Sequence, residues 1–196
     1  AAIRNPARTA LAYLWANGLE WEPGLASVQS LCAQDLTTLR LQLEHQVNTP
    51  LTSSMGRLFD AAASLAGVRQ KINYEAQAAI EFEAAYDSSQ LGSYPFEILT
   101  PAAGPTPISL KAFLQAYQAD CLAALPVSVL SGRFHNSIAA MVVHVIMAIR
   151  NYYPGLPALL APVYALGGRR ACVLLLAAIA ALAAVEAGRL ARVFTG

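Results

Sequence analysis

The sequence predicts a mostly α-helical fold with one short βαβ unit near the C-terminus. Two observations support this. Apolar residues recur at helical spacing along most of the chain, and Gly and Pro separate these stretches. Only the tail differs: PVYALGG and LARVFT have the composition of short strands and flank an apolar stretch at residues 171–188. That order is typical of a βαβ unit and is the one indication of a sheet in the sequence.

Helix boundaries follow from local signals. Asn5 and Pro6 suit an N-cap and first helical turn, and Gly18 suits a stop. The other predicted helices cover residues 26–47, 54–67, 73–86, 108–125 and 132–150.

The stretch GSYPFEILTPAAGPTP, residues 92–107, is rich in Gly and Pro. Such composition favours a connection over a helix or a long strand. The sequence therefore predicts two helical segments, residues 1–91 and 108–196, with residues 92–107 as the linker between them.

The amino-acid composition and net charge argue against some classes of function. Hydrophobic residues make up 56% of the chain and charged residues 13%, and the net charge is +1. A net charge this small argues against nucleic acid held by a broad basic patch. Cys32, Cys121 and Cys172 are far apart and form no CxxC pair, which favours free thiols in a reducing compartment.

No secretory signal is visible at the start of the chain, and the absence of an initiator Met suggests a segment of a longer protein. The most apolar run, residues 171–185, is short for a membrane span and ends at Glu186. A buried helix is the favoured interpretation of this run, and membrane association is the alternative.

The segment TSSMGRLFDAAASLAG, residues 52–67, places a carboxylate among small side chains. Its larger apolar residues form one helical stripe, and Asp60 lies off that stripe beside Gly56, Ala63 and Gly67. Such a face admits another backbone or a flat ligand, and a carboxylate there can accept hydrogen bonds from a sugar diol. The alternative is a Ser-capped helix in which Asp60 pairs with Arg57.

Three stretches together resemble one family. AAIRNPARTALAYLWANGL, NTPLTSSMGRLFDAAASLAGV and INYEAQAAIEFEA are similar to consecutive segments of the carbamoyltransferase of NiFe-hydrogenase maturation, the HypF type. TSSMGRLFDA is the most specific part. YPF at 94–96 and FHNSIA at 134–139 also correspond to words of that family. The resemblance covers residues 1 to about 150 and weakens after that.

The resemblance implies a two-lobed α/β ATPase fold of the actin and Hsp70 type, in its Kae1-like branch. Residues 1–91 would be the helical part of that domain, and 108–196 an incomplete second lobe. The full-length enzyme is expected to use ATP and carbamoyl phosphate to form carbamoyl-adenylate in the cytoplasm. Its expected partners are the remaining domains of the same enzyme and a hydrogenase maturation protein with a C-terminal cysteine that receives the carbamoyl group. No nucleic acid is expected, and a membrane is not favoured.

The resemblance implies roles for individual residues. Asp60 matches the residue that contacts the nucleotide ribose, and Glu81 is a further ribose candidate. Ala76 stands where the family has a Gly that approaches the nucleotide closely. Gly167 and Gly168 match a phosphate-side glycine pair, with a simple turn as the alternative. Around this pair the sequence departs from the family word, which indicates a decayed loop or a local frame slip.

The metal ligands of the family, which hold Zn or Fe, are absent from the sequence. Neither the His-His-x-Ala-His word nor the Asn-Asp-Gly-Gly word occurs, and the phosphate-loop word is also missing. His135 and His144 are nine residues apart and do not share a helix face at metal spacing, so His135 is interpreted as a core or partner-facing histidine.

Three hypotheses follow. The chain is a central part of a carbamoyltransferase that is inactive alone, or a decayed remnant that binds a partner without catalysis, or an unrelated helical, membrane-associated protein.

Overall fold

The computed structural model describes residues 4–99 and 108–152, with side chains described as far as residue 147. Within these ranges the protein is mostly helical, which confirms the predicted class. The elements, in chain order, are α1 (Pro6–Ala16), α2 (Ala26–Gln29), α3 (Ala33–Glu44), α4 (Met55–Leu65), α5 (Gln77–Ala84), β1 (Glu97–Ile98), β2 (Ile108–Ser109), α6 (Lys111–Leu122) and α7 (Val127–Tyr152).

Helix α1 begins and ends where the sequence predicts. Pro6 occupies the first turn, where its missing N–H has no helical partner to lose. Gly18 follows the helix with a φ of 68°, and the amide of Leu19 donates to the carbonyl of Leu14. Asn5 stands at the N-cap, but its side chain makes no capping hydrogen bond, so only the position of this cap was predicted correctly.

The single helix predicted over residues 26–47 is wrong, because the structure has two helices there. The Ser30 hydroxyl donates to the carbonyl of Ser27 at 2.9 Å, so a side chain competes with the backbone ladder at this point. Cys32 then adopts an extended conformation with ψ of 162° and starts α3. Leu31 lies within the break at helical spacing from the apolar residues of α3, which is why the hydrophobic pattern alone did not reveal it.

An aromatic cluster joins the second half of the fold to the first. The ring centroids of Phe82 in α5 and Phe113 in α6 lie 5.4 Å and 5.7 Å from that of Phe134 in α7. Tyr117 of α6 is fully buried, and its hydroxyl donates to the carbonyl of Ala62 in α4 at 2.9 Å. Helices on both sides of the predicted linker therefore share one core.

Two compact units are distinguished in the chain, residues 1–143 and 144–196. The first contains the core described above, and of the second only the end of α7 lies within the described residues. The assignment of residues 1–91 and 108–196 to different lobes stays a prediction.

The one sheet of the described residues has its first strand in the Gly/Pro-rich stretch and its second directly after that stretch. β1 and β2 are antiparallel, with Glu97 opposite Ser109 and Ile98 opposite Ile108. Two-residue strands are too short to show an alternating pattern, so they could not be predicted from periodicity. The predicted βαβ unit lies outside the described residues.

Hydrogen bonds connect residues 90–94 to α7. The Asn136 amide donates to the carbonyls of Gln90 and Gly92 at 2.7 Å and 3.1 Å, and the Tyr94 backbone N–H donates to the Ser137 hydroxyl at 2.6 Å. The YPF and FHNSIA words of the sequence therefore contact each other. The start of the predicted linker is held in place by these bonds.

Among the described residues, no helix is both long enough and apolar enough to cross a membrane. The apolar run at residues 171–185 lies outside them.

The contact between α7 and the segment before β1 leaves no space for a side chain at Gly132. A Cβ there would lie 2.7 Å from the Cβ of Gln90 and 3.1 Å from the backbone oxygen of Asp87. We expect Gly132→Ala to lower the free energy of unfolding by about 1 kcal/mol or more in urea denaturation, because overpacking outweighs the gain in helix propensity. Gly56→Ala is the control, since its nearest neighbour is 3.6 Å away and it is expected to be neutral or stabilising. Equal effects of the two variants would contradict this packing.

Candidate functional site

Asp60 lies in the middle of α4, which is buried over most of its surface. Its neighbours Ala61, Ala63 and Ser64 are fully buried, and Asp60 itself is 1% exposed. A Cβ on Gly67 would lie 3.5 Å from the Cβ of Ala26, next to α2. The small-residue face of α4 therefore admits neighbouring protein segments, which is one of the two uses that the sequence left open.

The Asp60 carboxylate is paired but not hydrogen-bonded within the described residues. Nη1 of Arg57, one turn earlier, lies 3.0 Å from Oδ2 of Asp60. Both carboxylate oxygens are enclosed, and neither has a partner with hydrogen-bond geometry. The pairing with Arg57 agrees with the alternative interpretation of this helix, but the Ser54 side chain makes no capping bond. A buried carboxylate in this condition departs from the rule that buried polar atoms are hydrogen-bonded.

Burial raises the pKa of the Asp60 carboxyl above its ordinary value. The positive charge of Arg57 opposes this increase in pKa, and the negative charge of Glu75 adds to it. Tyr13 of α1 belongs to the same cluster: burial raises the pKa of its phenol, Arg57 lowers it and Asp60 raises it. Tyr13 and Glu75 were not identified from the sequence, because only the packing of α1 and of the segment before α5 brings them to Asp60.

Ala76 adopts a left-handed conformation, with φ of 62° and ψ of 7°, at the start of α5. This conformation suits Gly, and a Cβ raises its energy by roughly 1–2 kcal/mol. The left-handed backbone therefore explains why Gly is favoured at this position in the family, in addition to the expected close approach of a ligand. Ala76 is exposed and directly follows Glu75, whose charge acts on Asp60.

The Glu81 carboxylate is occupied by protein groups. Arg69 donates to both of its oxygens, at 2.7 Å and 2.6 Å, and the Gln77 amide donates to Oε1 at 2.9 Å. The hydrogen bond from Arg69, followed by that from Gln77, lowers the pKa of Glu81. Its expected role at a ribose stays a prediction, and any ligand there competes with a bidentate ion pair.

Gly167 and Gly168, the predicted phosphate-side pair, lie outside the described residues.

His135 is on α7, where its Nδ1 lies 2.8 Å from the carbonyl oxygen of Ser131. Its ring makes edge contacts with Phe59 and Tyr86, each at 5.5 Å between centroids, and its Nε2 is enclosed without a hydrogen-bond partner. In the part of the chain that the structure describes, no three His, Cys, Asp or Glu side chains are grouped closely enough to hold a metal ion.

The mostly helical core fits a subdomain of a Kae1-like protein, and the comparisons with known proteins agree. The family profile described as "Carbamoyltransferase, Kae1-like Domain, second subdomain" matches residues 1–186. The chain therefore belongs to the HypF carbamoyltransferase family. This rules out the hypothesis that the chain is unrelated to that family, and no helix of the described residues supports the membrane alternative.

Similar proteins include two curated relatives and one solved structure. Carbamoyltransferase HypF of Synechocystis is 30% identical over 156 residues, covering 72% of this chain and 20% of that protein. Carbamoyltransferase HypF of Rhizobium leguminosarum is 46% identical over 75 residues, covering 33% of this chain and 10% of that protein. The crystal structure of full-length HypF in its phosphate- and nucleotide-bound form has a TM-score of 0.68 and 30% identity, and the match covers 77% of this chain and 19% of that one. The chain thus spans a fifth or less of these relatives.

The left-handed Ala76 generates a stability prediction. We expect Ala76→Gly to raise the free energy of unfolding by about 0.5–1 kcal/mol, because relief of the left-handed Cβ exceeds the extra entropy of an unfolded Gly. Ala79→Gly, in the interior of α5, is the matched control and is expected to cost about 1 kcal/mol. Urea denaturation measures both, and destabilisation by both variants would refute the backbone argument.

The opposite pKa shifts of Asp60 and Glu81 predict opposite pH dependences. Asp60 has a raised pKa in the folded state, so its stabilising contribution is present below about pH 4 and is lost as the pH rises through the folded pKa. Glu81 has a lowered pKa, so its contribution is present above about pH 4 and is lost as the pH falls through the folded pKa.

We therefore expect the stability of wild type relative to Asp60→Asn to fall between acid and neutral pH, and that relative to Glu81→Gln to rise. Chemical denaturation across this range measures both differences. Slopes of the same sign would contradict the assigned environments.

Proposed function

We propose that this chain provides the ribose-contacting part of a nucleotide site in a carbamoyltransferase. In this proposal Asp60 accepts hydrogen bonds from the ribose hydroxyls of ATP and of carbamoyl-adenylate. The segment works inside a longer protein in the cytoplasm, where the free thiols of Cys32 and Cys121 are compatible with a reducing environment.

The observation that carries the proposal is the buried Asp60 carboxylate whose two oxygens lack hydrogen bonds. Burial of such a group is costly unless a ligand or a protein group completes its hydrogen bonding. A vicinal diol offers two donors at a spacing that suits the two oxygens of one carboxylate. The solved HypF relative, described as phosphate- and nucleotide-bound, supports a nucleotide as that ligand.

Because both oxygens are enclosed, ribose binding requires a covering side chain to move. Arg57 and Tyr13 are polar neighbours of the carboxylate, and because Arg57 pairs with Oδ2, Tyr13 of α1 is the candidate for this movement. The contribution of Asp60 is to bind and orient the nucleotide, so that the reacting phosphate lies at groups supplied by other parts of the enzyme.

In the proposed reaction, carbamoyl phosphate and ATP give carbamoyl-adenylate, from which the carbamoyl group passes to the C-terminal cysteine of a hydrogenase maturation protein. The expected Zn or Fe of the family has no set of ligands among the described residues, so it is assigned no part here. Turnover would require the remaining domains of the same enzyme.

One observation favours a second candidate, a remnant that binds a partner without catalysis. Ala76 keeps the backbone conformation of a Gly but carries a methyl group, and it directly follows Glu75, whose charge acts on Asp60. If that methyl blocks the nucleotide, Ala76→Gly restores binding, whereas a remnant that has lost other parts of the site is not rescued.

The proposal predicts weak but specific ATP binding by the chain of 196 residues. In NMR titrations with ATP we expect shifts at the amides of α4, and Asp60→Asn is expected to weaken binding about tenfold because a charge-assisted acceptor is lost. Glu44→Gln, at the far end of α3, is the control and is expected to change nothing. Absence of shifts in α4 for the wild-type chain would overturn the proposed site.

A further inference from the structure

Arg57 and Asp60 form an ion pair in which one side chain is enclosed and the other is partly exposed. Arg57 and Asp60 are three residues apart on α4, so their side chains lie on the same side of the helix. The Asp60 side chain is 2% exposed and that of Arg57 is 20% exposed, with 3.0 Å between Nη1 and Oδ2. The enclosed carboxylate is thus paired with a side chain that is itself partly exposed.

Without this cation, the Asp60 site disfavours a negative charge. Taking a lone carboxylate out of water is costly, and such a group usually takes up a proton instead. The nearby carboxylate of Glu75 increases this tendency. Loss of one partner of a buried ion pair is therefore expected to neutralise the other.

We propose that Arg57 is a positioning residue that keeps the enclosed Asp60 carboxylate ionised and oriented, so that it can accept hydrogen bonds from a ligand with vicinal hydroxyls. This inference rests on the proposed function, because it assumes that Asp60 is the ligand-binding group. Arg57 itself needs no contact with the ligand. Its pairing with Oδ2 leaves Oδ1 as the more available acceptor.

Among the described residues, Arg57 supplies the positive charge that acts on the Asp60 carboxylate. Tyr13 of α1 and Glu75 act on the same site, and α2 has no titratable side chain. Of the other groups on elements near α4, Arg8 of α1 donates to Gln42, Glu81 binds Arg69, the Tyr117 hydroxyl donates to Ala62, His135 bonds to Ser131, and Glu83 of α5 is exposed.

The test follows the protonation of Asp60 by carboxyl NMR and the affinity for ATP, both as a function of pH. With Arg57→Gln we expect the Asp60 titration to move to higher pH and ATP binding to weaken about tenfold near neutral pH, recovering as the pH rises. Arg57→Lys keeps the charge and is expected to restore both readouts towards wild type. An unmoved Asp60 titration in Arg57→Gln overturns the proposal. Tighter ATP binding by that variant at every pH also overturns it, because Arg57 would then be an obstacle.

A second measurement uses the wild-type chain and therefore does not require a variant to fold. The Nε–H resonance of Arg57 is expected to change with the same midpoint as the Asp60 carboxyl, and separate midpoints overturn the proposal. Failure of the proposed function is distinguishable: Asp60→Asn and wild type would then respond to ATP identically, whatever the titration of Asp60 shows.

Discussion

The fold depends on α4 being narrow enough to pack on most of its sides. From Leu58 to Leu65 all of its residues except Phe59 are buried, and four of the eight are Ala or Ser. Such small side chains let helices approach α4 closely. Helix α1 is its most extensive neighbour, and Ser64 bonds to Ser27 of α2 at 2.7 Å. Asp60 is enclosed as a consequence of this packing, and its unusual electrostatics follow from the same constraint.

The second half of the chain fixes the position of α4 from the other side. Phe59 lies 4.9 Å, centroid to centroid, from Phe134 of α7, and Tyr117 reaches the backbone of α4 with its hydroxyl. On the outside of this cluster, Asp120 accepts hydrogen bonds from Tyr94 at 2.8 Å and from Arg133 at 2.6 Å. These contacts connect the region before β1 to α6 and α7, so the Gly/Pro-rich stretch joins parts of a common core.

The sequence predicted most helices, because they depend on local spacing. It also singled out Asp60, whose burial among small residues the structure shows and whose role at a ribose stays a prediction. It did not predict the break at Ser30, which depends on a side-chain hydrogen bond, or the two-residue strands, which are too short for a pattern. Tyr13 and Glu75 were missed because the groups around a buried carboxylate come from distant segments. The resemblance identified the Gly-to-Ala change at residue 76, and only the backbone angles explained why Gly is favoured there.

The central claim is that the Asp60 carboxylate binds ribose hydroxyls. Comparing ATP with 2′,3′-dideoxy-ATP in titrations of the wild-type chain and of Asp60→Asn tests it most directly, because only the hydroxyls differ between the two ligands. The account predicts weaker binding of the dideoxy nucleotide to wild type and nearly equal binding of both nucleotides to Asp60→Asn. Equal affinity of the wild-type chain for the two nucleotides would contradict it.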